Sequence, residues 1–242
     1  MEFTDGMSSA VNREEIKAFF EGWEVYQKVI ANNYMIHAEI VDHLVTLIDN
    51  HATRNMRILE FGCGDAYVVR QAAKRVPVAR YVGIDLSEMA LQHARDGLKP
   101  LISDYELIHN SMESTVAALT GSFDIILAGY SLHHLMGDRK NHFFASLAPR
   151  LAADGILVVY DLVTRPREPR DAYLARICSH FDANWRQLSH AQLRDIRAHV
   201  TDKDYPESLM TWEALGRDVG LVNFAQKFTD PAGIFSMMEY RR

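Results

Sequence analysis

Short, uniformly apolar runs alternate with helix-length amphipathic stretches through the middle of this chain. Residues 56–61, 80–84, 105–109, 123–128 and 156–160 read as strands. Residues 66–76, 88–98 and 140–151 show helical spacing of apolar positions, with Ser87 standing where an N-cap belongs. The strands do not alternate apolar with polar residues, as expected of a parallel sheet buried on both faces by helices.

Two further helical patterns precede these units. Ile16, Phe19, Phe20, Trp23, Tyr26 and Val29 form one, and Ile36, Ile40, Leu44, Leu47 and Ile48 the other, with a break at Asn32-Asn33. After Asp161 the rhythm changes. Two prolines make 165–170 a loop, helices follow over 172–188 and 190–200, and a turn at 201–206 leads to a helix ending near Gly220. Residues 221–228 and 235–240 read as a closing hairpin. The predicted organisation is a helical cap (1–55), an α/β core (56–164), a helical insert or lid (165–206), then a last helix and the core's closing hairpin (207–242).

The chemistry concentrates at strand ends. In Ile58-Leu-Glu60-Phe-Gly62-Cys63-Gly64-Asp-Ala66 a buried strand runs into two glycines and then a helix. Such a turn brings backbone N–H groups close to a ligand, and an acid at the strand end can hold an ammonium group. A second strand ends in Asp85, about 20 residues further on, where nucleotide-binding α/β folds place a carboxylate against ribose hydroxyls.

Taken in order, Glu60-Phe-Gly-Cys-Gly64, Gly83-Ile-Asp85, the segment from Phe123 to Leu135 containing Gly129-Tyr130-Ser-Leu-His133-His134, and the segment Leu151 to Val159 resemble the class I S-adenosylmethionine-dependent methyltransferases. The resemblance spans 56–161. It implies a doubly wound, Rossmann-like, seven-stranded and mostly parallel sheet with the last strand antiparallel, and S-adenosylmethionine as cofactor. Carried over by position, Glu60 would hold the methionine amino group, and Gly62, Cys63 and Gly64 would line the methionine and ribose path. Asp85 would take the ribose hydroxyls, Leu86 the adenine, Ser111 and Met112 the adenine edge, and Gly129 and Tyr130 the methionine portion. Two positions depart from the family: Ala66 replaces the third glycine, and Ser111 stands where an acid is common.

Methyl transfer needs alignment and exclusion of water, and a base only when the acceptor must lose a proton. The candidates for catalysis are Tyr130, His133 and His134, with a plain loop-holding role open to either histidine. No metal is expected, because Asp161 after the fifth strand lacks companion acids. The acceptor, a small molecule, would sit between the cap and the insert. Phe19, Trp23, Tyr26, Tyr34, Tyr173, Phe181, Trp185 and Tyr205 are available to line that pocket, Tyr34 as a cofactor-side lid, with His199 and Asp204 nearby. Arg165, Arg167 and Arg170 either attract an anionic substrate or form a solvated loop.

Other readings stay open. A carboxy-S-adenosylmethionine synthase would use Arg194 or Arg197, and a non-catalytic binding protein would keep the cofactor site alone. An NAD(P) oxidoreductase is disfavoured, because Glu60 has no task beside a pyrophosphate. Composition narrows the setting. The net charge of −6 argues against a nucleic-acid partner, and there is no apolar run of membrane-spanning length. The polar N-terminus lacks a secretory pattern and Cys63 and Cys178 are far apart, which suits a cytoplasmic protein. Oligomeric state is open, a homodimer included.

Overall fold

The computed structural model describes residues 13–50 and 55–242, with side chains from Gly22 onward. The expectations placed on Ile16, Phe19 and Phe20 therefore lie outside the described side chains. Helices α1 (Arg13–Ala31) and α2 (His37–Asp49) precede a core of alternating units. These are β1 (Arg57–Phe61), α3 (Tyr67–Ala73), β2 (Arg80–Asp85), α4 (Glu88–Leu98), β3 (Tyr105–His109), α5 (Met112–Ala118), β4 (Phe123–Gly129), α6 (Asp138–Leu147) and β5 (Leu151–Thr164). The insert supplies α7 (Arg170–Asn184) and α8 (His190–Lys203). The two-residue β6 (Glu207–Ser208), α9 (Leu209–Arg217), β7 (Asn223–Thr229) and β8 (Phe235–Arg241) complete the chain.

The sheet runs in the order β3-β2-β1-β4-β5-β8-β7, with β6 added beside the end of β5. Strands β1 to β5 are parallel, while β8 lies antiparallel to both β5 and β7. The expected seven strands and the antiparallel last strand are thus present, and β6 makes an eighth. Successive residues of one strand enter opposite cores. Ile58 packs with α2, α3 and α4 on one face, and Leu59 with α6 and α9 on the other, which is why the strands read as unbroken apolar runs.

Two boundaries differ from expectation. The helix predicted over 140–151 ends at Leu147, because Pro149 cannot continue it; a 3-10 turn follows and β5 starts at Leu151. Helix α5, capped by Ser111, was not anticipated. Among the described residues no helix is long and apolar enough to cross a membrane.

Candidate active site

The strand order reverses between β1 and β4, and the crevice at their carboxyl ends is where open α/β sheets take ligands. Gly62 (φ 67°) and Gly64 (φ 54°) bend the chain over this point, and Ala66 adopts the same left-handed region at φ 57°. A Cβ on Gly62 would lie 2.7 Å from the Ser131 Cβ, so only glycine lets the β1 and β4 turns pack this closely.

Two cavities flank the turn. One, of about 250 Å³, is lined by Glu60, Gly62, Cys63, Gly64 and Gly129, with Tyr26, Met35, His37, Tyr130 and Tyr160 closing it. The other, of about 340 Å³, is lined by Asp85, Leu86, Asn110, Ser111 and Met112, and shares Gly62 and Tyr130 with the first. The residues expected to bind cofactor thus come together in one trough, except Tyr34. That ring stacks on Trp185 at 5.1 Å and its hydroxyl accepts the Gln187 N–H, so Tyr34 ties the cap to the insert. Left-handed Asn33 and Ile36 turn Met35 and His37 into the trough in its place.

Glu60 is buried and accepts hydrogen bonds from the Tyr81 hydroxyl (2.7 Å) and the Tyr160 hydroxyl (3.1 Å). Burial pushes its carboxyl up to about 7, against the pull of those two hydrogen bonds. Asp85 accepts the Gly64 N–H at 2.7 Å and the Ser87 N–H at 2.8 Å. Leu86 is 71% exposed, as an apolar wall awaiting a flat ring would be. The Ser111 hydroxyl caps α5 by accepting the Ser114 N–H. His37 is buried, its pKa lowered to about 4 by that burial, and its Nδ1 has no hydrogen-bond partner.

Asp65, overlooked in the sequence, accepts hydrogen bonds from the Tyr26 hydroxyl and from Arg70, pinning α1 to the glycine turn. Tyr130 is left-handed (φ 44°) and its hydroxyl donates to the Met35 carbonyl. Its proton is committed there, so the expectation of Tyr130 as a base is withdrawn.

A third cavity, of about 230 Å³, lies between α1, α7, α8 and the sheet. Val29, Ile177, Phe181, Trp185 and Phe235 make it largely apolar, while His133, His134, His199 and Asp204 form one polar end. Of the other aromatics considered, Trp23 stacks on His93 and Tyr205 lies under the Arg170 guanidinium. Arg170 also donates to the Thr201 and Asp204 carbonyls, which makes it part of the insert's framework.

His133 follows β4, and Asp161 lies in the adjacent strand β5, one residue beyond Tyr160, which pairs with the last residue of β4. Parallel pairing brings His133 Nδ1 to 2.5 Å from Asp161 Oδ1. A carboxylate only accepts, so Nδ1 carries a hydrogen, and in the neutral ring the lone pair is on Nε2. Burial disfavours the charged ring, but the Asp161 carboxylate outweighs it and holds the pKa above the usual value. Burial and the neighbouring His133 lower His134 to about 4. Burial raises Asp204 above the ordinary carboxylate range.

Residues 58–155 match the family described as a methyltransferase domain. Over these residues the chain is similar to the class I S-adenosylmethionine-dependent methyltransferases. The malonyl-[acyl-carrier protein] O-methyltransferase of Legionella pneumophila is 30% identical over 125 residues, covering 51% of this chain and 41% of that protein. Its counterpart in Bacillus cereus is 25% identical over 152 residues, covering 61% and 52%. The chain therefore spans about half the length of these relatives or less.

Among solved structures, Synechocystis magnesium protoporphyrin IX methyltransferase with bound S-adenosylhomocysteine aligns at a TM-score of 0.59 and 15% identity, covering 99% of this chain and 90% of that one. The S-adenosylmethionine-dependent methyltransferase SibL aligns at 0.63 and 16%, covering 97% and 60%. At these identities they show the fold alone.

This methyltransferase fold has S-adenosylmethionine as its cofactor, and the trough suits it. The trough holds a buried carboxylate, an unpartnered His37 nitrogen and two glycine positions that admit no side chain.

Proposed function

We propose that this methyltransferase moves a methyl group from S-adenosylmethionine to an oxygen of a small, largely apolar acceptor. The observation that carries the proposal is that Tyr130 lines all three cavities. One residue thereby joins a methionine compartment, an adenosine compartment and an acceptor chamber, as in-line transfer requires.

Glu60 would hold the amino group, Asp85 the ribose, and Leu86, Ser111 and Met112 the adenine. The cofactor supplies a methyl group on a positively charged sulfur. The acceptor oxygen forms the new C–O bond as the C–S bond breaks, and the electron pair stays on sulfur. Tyr130 and Tyr34 hold the cap against the core and insert and so exclude water. The acceptor's proton leaves toward the histidine end of the chamber, where His133 offers a fixed Nε2 and His134 lies beside it. The relatives named for O-methylation support oxygen as the atom modified. The free thiols Cys63 and Cys178 suit a reducing, cytoplasmic setting.

The carboxy-S-adenosylmethionine synthase reading loses its motivation. Arg197 pairs with Asp182 on α7, and neither Arg194 nor Arg197 lines any of these three cavities. The decisive experiment incubates the protein and methyl-labelled S-adenosylmethionine with a panel of small phenols and carboxylic acids. Label in an acceptor together with S-adenosylhomocysteine supports the proposal. Cofactor binding without transfer to any acceptor would favour a binding protein, and no cofactor binding would defeat both readings.

A further inference from the structure

We propose that His133, His134 and Asp204 form a site for one divalent transition-metal ion of zinc's class at the polar end of the acceptor chamber, with His199 at its rim. The geometry radiates from a single oxygen. Asp204 Oδ1 lies 3.4 Å from His134 Nδ1, 3.6 Å from His133 Nε2 and 3.7 Å from His199 Nε2. Each separation exceeds the usual N–H···O range of about 2.7–3.2 Å. They approach instead the edge of a tetrahedron with metal–ligand bonds of about 2.0–2.1 Å, which is about 3.4 Å.

The oxygen at the centre is unsatisfied. Asp204 is 2% exposed, and its Oδ1 has no hydrogen-bond partner. A buried acceptor left unpaired is costly, and a cation shared by the surrounding nitrogens would remove that cost. His133, His134 and Asp204 offer ligand atoms within 4.8 Å of one another, the one such group among the described residues. His134 Nδ1 also lies 3.3 Å from the Lys203 carbonyl, a contact that a proton on this nitrogen would serve and a bound ion would replace.

The surroundings are those of a ligand set. Asp161 takes the Nδ1 hydrogen of His133, which fixes the tautomer and aims Nε2 at Asp204, as outer carboxylates do for metal-bound histidines. Asp161 is itself held by the N–H groups of His133 and Leu162. Two imidazoles and one carboxylate, with a further position open, suit zinc and its neighbours better than magnesium or calcium. The cavity between α1 and α8 shares Val25, Ile196 and His199 with the chamber, and Glu24 and Asp195 line it.

If methyl transfer is the reaction, the bound ion would stand in place of His133 as the group that draws off the proton, and it identifies the acceptor class: compounds with a hydroxyl or carboxyl oxygen that binds a metal in its deprotonated form, the proton passing to solvent. That consequence rests on the proposed function, whereas the site itself does not. The test is therefore metal binding, measured without turnover. The full chain, tag removed and stripped with chelator, is titrated with Co²⁺ and then with Zn²⁺ in competition.

One equivalent of Co²⁺ should bind with the intense visible absorption of four-coordinate cobalt, and Zn²⁺ should displace it. Asp204→Asn and His134→Ala should each weaken binding by at least about tenfold, and Asp161→Asn by about 10–100-fold. Exposed His142→Ala should leave binding unchanged. The His134 side chain is 40% exposed, so its variant will fold even where a buried change does not. Binding weaker than about 100 μM, or binding that Asp204→Asn and His134→Ala both leave untouched, overturns the site. Calorimetry with S-adenosylmethionine on the same samples reports separately on the cofactor reading.

Discussion

The Gly64 main-chain N–H donates to Asp85 Oδ2 at 2.7 Å, so one carboxylate at the end of β2 braces the glycine turn after β1. Its other oxygen accepts the Ser87 N–H at the start of α4. An ionised carboxylate has about four acceptor sites, which leaves two for ribose hydroxyls. Asp85→Ala removes both the brace and the acceptors. S-adenosylmethionine affinity should fall by at least about tenfold, about 1.4 kcal/mol, in a calorimetric titration. Unchanged affinity would show that the ribose binds elsewhere.

Glu60 makes cofactor binding proton-linked. In the empty protein its folded pKa of about 7 leaves the carboxyl partly protonated at neutral pH. An ammonium group arriving beside it favours the carboxylate, so binding should release a proton from this group. Titrations at pH 7 in buffers of different ionisation enthalpy should therefore give different heats. Glu60→Gln should abolish the difference. The same raised pKa means that Glu60's contribution to stability is complete below its unfolded pKa of about 4.5. It is lost as pH rises through about 7.

His37 pulls the opposite way. Its folded pKa of about 4 lies below its ordinary value of 6.5. Its stabilising contribution is present above 6.5 and is lost as pH falls toward 4, because a buried neutral ring must then take up a proton. Between pH 7 and pH 5 the loss is about 2 kcal/mol. His134 loses stability over the same range and Glu60 gains it, so the comparison is between variants: urea denaturation at the two pH values should show an acid loss smaller in His37→Leu than in the parent by about 2 kcal/mol. An equal acid loss in His37→Leu would assign the effect to other groups.

How much of this was legible varied with the physics of each element. The strands and the glycine turn were readable because burial on both faces and left-handed backbone each leave a mark in residue type. Helix α5 left none: it is seven residues long, and Ser114 and Thr115 interrupt its apolar positions. The sequence pointed to Tyr34 as a cofactor-side lid and gave no sign of Met35 and His37, for a backbone reason. Ile36 adopts φ 49°, a conformation its side chain gives no hint of, and that turn decides which neighbours face the cofactor. The pairing of His133 with Asp161 was available in principle, since His133 follows β4 and Asp161 comes one residue after Tyr160, which lies opposite Gly129 at the end of β4. The convergence of His199 and Asp204 on the same point depended on how α8 packs, which no local pattern encodes.

Gly129 tests the centre of the site most directly. A Cβ placed there would lie 1.9 Å from the Tyr160 ring, which must move to admit it. That ring cannot move freely: its hydroxyl donates to Glu60, and its edge meets Tyr130 with centroids 5.3 Å apart. Gly129→Ala should therefore displace both Glu60 and Tyr130, costing about 1–3 kcal/mol of stability and most of the cofactor affinity. Tyr160→Phe keeps the ring and should not relieve the clash, whereas Tyr160→Leu should relieve part of it. The coupling in a double-mutant cycle should then be favourable for Gly129→Ala with Tyr160→Leu and near zero with Tyr160→Phe. Thermal melts and cofactor titrations of the five variants measure both quantities. Equal coupling for the two Tyr160 changes would mean that the hydroxyl, and not the ring's bulk, makes position 129 intolerant.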